Sequence, residues 1–196
     1  MSKTLAFEIG IWNAWIFIVP YLIVSLGLPF LLAAFKNRKS TFCAFPSHTR
    51  LERIYLILFY VIYGGLSVYS VFLPLATGTF WLYVGIAIYL LGWAFLVSAT
   101  LTFTVTPVDR PNTTGIYRTS RHPWYLGLFF ICFGTGIASA SWVYLLGALL
   151  LLAPIRNVLM IPEERECLER FGKSYREYMN RTPRWIGIPK PENREQ

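Results

Sequence analysis

Two short stretches carry the side chains from which chemistry can be built. The first is Thr114-Gly115-Ile116-Tyr117-Arg118-Thr119-Ser120-Arg121-His122-Pro123-Trp124-Tyr125-Leu126-Gly127, and the second is Arg156-Asn157 followed by Pro162-Glu163-Glu164. Arg121 and His122 stand directly before Pro123, a residue suited to the first turn of a helix. The free backbone N–H groups of such a turn and its positive dipole end favour an anion, so a ligand carboxylate or phosphate suits the place. Glu163 and Glu164 follow Pro162 at the start of another predicted helix, where acidic residues are favoured. Taken singly, Arg121 also suits a lipid-headgroup anchor, and His122, Trp124 and Tyr125 an interfacial belt. A basic pair meeting an acidic pair is more informative than either alone, because that is what a zwitterionic ligand requires.

The elements that must position these groups are membrane helices. Of 196 residues, 55% are apolar and only 14% charged, about half the charged share of soluble domains. A soluble core of this size has no room for so much apolar surface, whereas a bilayer accommodates it. The runs are continuously apolar rather than alternating, which argues against a barrel. Five runs are long enough, or nearly so, to span as helices. They cover about Ile11 to Phe35 (with Pro20 and Pro29 as kinks), Ile54 to Ala76 (with Gly64-Gly65 as a close-packing site), Phe80 to Val105, Trp124 to Ala138, and Ser141 to Ile161. Only Ser139, Ala140 and Ser141 separate the last two, which predicts a tight helical hairpin. That hairpin brings Arg121-His122 beside Glu163-Glu164. We read residues 1–196 as one membrane domain, with three spans in 1–105 and a catalytic half in 106–196.

The charges predict the topology. Lys36, Arg38, Lys39, Arg50 and Arg53 fall in one connection, Arg110, Arg118 and Arg121 in another, and most of the remainder in the tail after Pro162. The turns at Thr77-Gly78-Thr79 and Ser139-Ala140-Ser141 carry none. The two sets alternate along the chain, and the positive-inside rule puts the N-terminus outside and the C-terminal tail in the cytoplasm. Lys3 followed by Glu8 lacks the basic start and cleavage site of a secretory signal, so the first run is read as a retained span. From Glu163 onward, Cys167, Leu168, Phe171, Tyr175, Tyr178 and Met179 recur at helical spacing, with a break expected at Gly172. Two readings of this amphipathic tail stand side by side: a helix lying on the membrane surface, or one folding back to close a cytoplasmic pocket.

Other function classes fit poorly. The net charge of +8 is spread over loops rather than gathered in a stripe with aromatics between, which argues against nucleic acid. Cys43, Cys132 and Cys167 are widely spaced and form no CxxC pair, so neither a metal site nor a disulfide is expected. There is no GxGxxG between a strand and a helix, hence no Rossmann domain. A transport subunit needs ionisable groups near the bilayer midplane, and these spans have almost none.

The run Gly115-Ile116-Tyr117, Arg121-His122-Pro123-Trp124-Tyr125-Leu126-Gly127 and Glu163-Glu164 resembles the isoprenylcysteine carboxyl methyltransferase family and its phospholipid methyltransferase relatives. So does the stretch from Leu168-Glu169-Arg170-Phe171-Gly172 through Lys173-Ser174-Tyr175-Arg176-Glu177-Tyr178 to Thr182-Pro183-Arg184. The resemblance covers the second half of the chain. It implies that S-adenosylmethionine binds at the cytoplasmic ends of the last two spans, under the C-terminal segment, and that the acceptor is a lipophilic or prenylated molecule in the membrane. By resemblance, Tyr117, His122, Pro123, Trp124 and Tyr125 would line the cofactor site. Asp109, Arg110, Pro111 and Asn112 would wrap it, Glu163 would accept hydrogen bonds from it, and Arg121 and Glu164 would support or orient it. Members acting on isoprenylcysteine carry an arginine one helical turn before the carboxylate pair. Here that place is near Leu159, and Arg156, one turn further, is the closest candidate for a catalytic arginine. Sterol-reductase-type enzymes carry a similar HPxYxG motif and use NADPH, which makes a membrane reductase the alternative. The doubled glutamate and the Arg-His-Pro order favour methyl transfer.

Overall fold

The computed structural model describes residues 10–24, 49–107 and 109–188, and every regular element among them is a helix. Pro29, the basic residues Lys36, Arg38 and Lys39, and Cys43 lie outside the described residues. We number the helices α1 (Trp15–Val24), α2 (Arg50–Phe72), α3 (Phe80–Val105), α4 (Pro123–Ala138), α5 (Trp142–Phe171) and α6 (Lys173–Arg181). Helices α2, α3 and α5 are each long and apolar enough to cross a membrane, whereas α1 and α4 are shorter apolar helices. Helix α2 exposes Leu51, Ile54, Ile57, Leu58, Val61, Val68 and Val71, a surface suited to hydrocarbon rather than water. This is an all-α membrane protein.

Helices α3 and α4 form the tightest pair, and glycine makes the approach possible. A Cβ on Gly92 would lie 2.8 Å from the Ile131 nitrogen, and one on Gly134 would lie 2.6 Å from the Tyr89 nitrogen. Gly127 meets the Gly92 carbonyl oxygen at 2.9 Å in the same sense, and Gly85 abuts the Ala138 backbone. Gly85 and Gly92, like Gly127 and Gly134, are seven residues apart, so each pair lies on one face of its helix. The glycines expected to pack closely, Gly64 and Gly65, instead have nothing within 4 Å of their Cβ positions. Small residues permit close approach but do not create a partner.

The two ends of the bundle differ in charge. At one end the Ala14 N–H donates to the Leu73 carbonyl (2.8 Å), Leu75 N–H to Trp12 (3.1 Å) and Ala76 N–H to Ala138 (2.9 Å). No charged residue occurs in 10–15, 73–80 or 138–142, while Trp12, Trp81 and Trp142 stand exposed there, as an interfacial belt does. The starts of α2 and α4 and the ends of α3 and α5 gather at the opposite end with their arginines. The α4–α5 hairpin closes as its sequence predicts. Ala140 takes a positive φ of 49° and the Ser141 hydroxyl accepts from the Tyr144 N–H at 3.3 Å.

Helix α5 departs from the expected layout. No new helix starts at Glu163. One helix runs through Pro154 and Pro162 by widening into a π segment, Ile155–Met160, before resuming as α-helix over Ile161–Phe171. The Ile161 N–H reaches back to the Arg156 carbonyl, and the Asn157 amide donates to the Ala153 carbonyl at 2.7 Å. Each proline withholds one N–H, and the wider turn absorbs the mismatch. The break falls at Gly172, whose φ of +54° closes α5 and opens α6.

Candidate active site

Glu164 is the hub of the charged end. It follows the apolar part of α5 and is only 4% exposed. Arg184 grips it with two bonds, Nε to Oε1 at 3.0 Å and Nη2 to Oε2 at 2.6 Å. His122 Nε2 meets Oε1 at 3.1 Å, and Arg121 Nη1 lies 3.2 Å from the same oxygen. The Arg121 contact is one of charge only, since its Nε and Nη1 are buried with no hydrogen-bond partner. The other ring nitrogen of His122, Nδ1, sits 3.5 Å from Glu163 Oε2, again a charge contact rather than a hydrogen bond. That Glu163 oxygen is buried and accepts no hydrogen bond, although the side chain as a whole is 38% exposed.

Local structure fixes each of these groups. His122 caps α4 with Pro123 at the first helical position. Its backbone N–H donates to the buried Ser120 hydroxyl at 3.1 Å, and that hydroxyl donates in turn to the Arg184 carbonyl at 3.3 Å. A 3-10 turn, Gly115–Arg118, precedes it. Gly115 has a φ of +56° and lies against Thr102 of α3, so close that a Cβ would fall 2.8 Å from the Thr102 hydroxyl. The chain beyond α6 returns over this loop. Arg121 N–H donates to the Pro183 carbonyl (3.0 Å), Gly187 N–H to Thr119 (3.0 Å), and the Tyr178 hydroxyl to the Tyr117 carbonyl (2.7 Å). Of the two readings of the tail, the one that folds back describes this arrangement.

The electrostatics follow from these contacts. Burial of His122 works against its charged form, but Glu163 and Glu164 outweigh burial and raise its pKa above 6.5. A carboxylate at each nitrogen favours the doubly protonated form of the ring. Burial likewise acts against ionised Glu164, yet the bonds from His122 and Arg184 prevail and lower its pKa from 4.5 to about 2. The sign of the pH dependence follows. The stabilisation from His122 is complete below 6.5 and is lost as pH rises through its raised value, whereas that from Glu164 is complete above 4.5 and is lost as pH falls towards about 2. An NMR titration of the His122 ring should therefore show a midpoint above 6.5, and a midpoint below it would contradict this geometry.

The remaining predicted residues divide. Tyr117 and Tyr125 both lie within electrostatic reach of Glu163. Pro123 is buried, and Trp124 is half-buried against the core. Pro111 is buried and Asn112 half-buried with its Oδ1 unpartnered, while Asp109 and Arg110 are exposed. Arg156 is not brought to the cluster. It is exposed on the π segment and takes part in none of the ion pairs described above. Sequence reasoning did not single out Arg184 as a site residue. The only signal was its place in the Thr182-Pro183-Arg184 run at the end of the family-like tail.

No curated protein and no solved structure matches this chain. Residues 103–174 match the family model described as phospholipid methyltransferase. The matched segment runs from the end of α3 to the start of α6 and supplies Arg121, His122, Glu163 and Glu164, so the match supports the resemblance carried by these residues, that of a membrane methyltransferase in general.

Proposed function

We propose that the protein transfers a methyl group from S-adenosylmethionine to a lipid-like or membrane-embedded acceptor, at the charged end of the bundle, which the positive-inside rule assigns to the cytoplasm. The observation that carries this reading is the set of buried, unpartnered polar atoms at one place: Glu163 Oε2 and the Arg121 Nε and Nη1 groups. A buried group without a hydrogen bond costs about 1–3 kcal/mol, which the ion contacts of Glu163 Oε2 with His122 and of Arg121 Nη1 with Glu164 offset in part. An amino-acid-bearing cofactor fits them, with its ammonium at Glu163 and its carboxylate at Arg121. Tyrosine rings around a carboxylate also suit a cation, and Tyr117, Tyr125, Tyr175 and Tyr178 all lie within reach of the Glu163 charge.

In this reading Tyr117, His122, Pro123, Trp124 and Tyr125 line the donor site with Glu163, and Asp109, Arg110, Pro111 and Asn112 wrap it. Glu164 and Arg121 orient it. When bound, the donor supplies an activated methyl carbon on a positive sulfonium. The protein's tasks are then alignment and exclusion of water. Glu164, tied to three cations, holds His122 and Arg121 in place. Arg156, exposed on the π segment, would contact the acceptor rather than the donor.

Calorimetric titration of the detergent-purified protein with S-adenosylmethionine, S-adenosylhomocysteine and NADPH tests the proposal. Saturable binding of the adenosyl ligands is expected. Its loss in both His122→Ala and Glu163→Ala, with normal membrane insertion, would confirm the site. Binding unchanged in both variants would refute the site assignment, and binding of NADPH alone would make the protein a reductase.

A further inference from the structure

Glu52, at the start of α2, serves two partners at once. It completes a capping box: Oε2 accepts from the Thr49 N–H at 2.7 Å, and the Thr49 hydroxyl accepts from the Glu52 N–H at 3.3 Å. The same carboxylate takes Arg165 of α5, with Nη1 to Oε1 at 3.1 Å and Nη2 to Oε2 at 3.4 Å. Arg165 directly follows Glu164. The two helices also meet further along, where a Cβ on Gly147 would lie 2.7 Å from the Leu66 side chain. On α5 the π segment, Ile155–Met160, lies between these two attachments.

We propose that Glu52 is a positioning residue for the Glu163–Glu164 turn, acting through Arg165 to hold α5 in register across its π segment. The proposal rests on the reading of the cluster as the methyl-donor site. A π turn contains one residue more than an α turn. If it relaxes, everything beyond it rotates by roughly 100°, the angle per residue of an α-helix. Glu164 would then leave Arg184 and His122, and a neighbour, Glu163 or Arg165, would turn towards them. Glu164's own bonds to His122 and Arg184 resist this from within the second half of the chain. The Arg165–Glu52 pair reaches α2, and so ties the turn to the first half.

Glu52→Gln separates the two duties of the residue, because glutamine also serves in a capping box while the ion pair is lost. The Glu52 side chain is only 11% exposed, but the charge that its substitution leaves unpaired, Arg165, is 41% exposed and keeps its water, so the melting temperature should fall only slightly. Binding of S-adenosylmethionine and S-adenosylhomocysteine should weaken about tenfold, the scale of one lost hydrogen bond to a charged group. The His122 ring titration should move back towards 6.5. Arg165→Gln should do the same, and the double variant should be no worse than either single one, since both remove one coupled interaction. Unchanged affinity and unchanged His122 titration in Glu52→Gln would overturn the proposal, as would additive effects in the double variant. If even the wild-type protein binds no adenosyl ligand, the donor reading fails, and the His122 titration alone then decides the role of Glu52.

Discussion

Glu164→Ala is expected to destabilise the protein by about 3–5 kcal/mol, the cost of removing one partner from a buried charge network. The reason lies in how many cations depend on it. Arg184 gives it two bonds, His122 one, and Arg121 an ion pair, all around a carboxylate that is 4% exposed. Without it, Arg121 and Arg184 both lose the carboxylate that they contact, and His122 keeps only Glu163 beside its ring. Glu164→Gln retains the shape and one acceptor oxygen, so its cost should be about half as large. Arg184→Ala should fall between, since Arg184 is 28% exposed and part of its charge is already hydrated. Thermal unfolding in detergent checks the order. A Glu164→Ala protein within about 1 kcal/mol of wild type would mean that the network contributes no more than an exposed pair does.

Gly134→Ala should rank beside it, at about 3 kcal/mol, the upper end for overpacking a close-fitted interface. The added methyl would sit 2.6 Å from the Tyr89 nitrogen and 2.8 Å from the Gly85 oxygen, both backbone atoms that no rotamer change can remove. Helices α3 and α4 would have to part. Gly64→Ala is the matched control. Nothing lies within 4 Å of its Cβ position, and alanine in a helix interior gains roughly 0.5–1 kcal/mol over glycine. Thermal melts of the two variants should shift in opposite directions. Equal shifts would show that the α3–α4 seam is looser than its glycine contacts require.

These contrasts show how the sequence could and could not be read. Apolar run lengths determined the helices, because in lipid a spanning backbone must satisfy its own hydrogen bonds. The three-residue connection at Ser139-Ala140-Ser141 determined the hairpin, and hence that Arg121-His122 and Glu163-Glu164 meet. Gly172 marked the break in the tail. The π segment was not legible. Prolines at 154 and 162 signal a disturbance, but whether the helix stops, kinks or widens depends on what surrounds it. The continuous helix from Trp142 to Phe171 is held by contacts beyond its own sequence, including Glu52 at its polar end.

The sequence by itself determined the membrane setting, the helical content and the neighbourhood of the charged groups, since these follow from local composition and connection length. The tertiary structure alone decided which member of each pair does what. Glu163 and Glu164 are adjacent and chemically alike, yet one helix step turns Glu164 into the embrace of Arg184 and leaves Glu163 with an oxygen that accepts no hydrogen bond. Gly64-Gly65 and Gly127 with Gly134 look equally suited to close packing, but only the latter face another backbone. In each case composition states what a residue permits, and the direction it points is set by helix register and by partners distant in the chain.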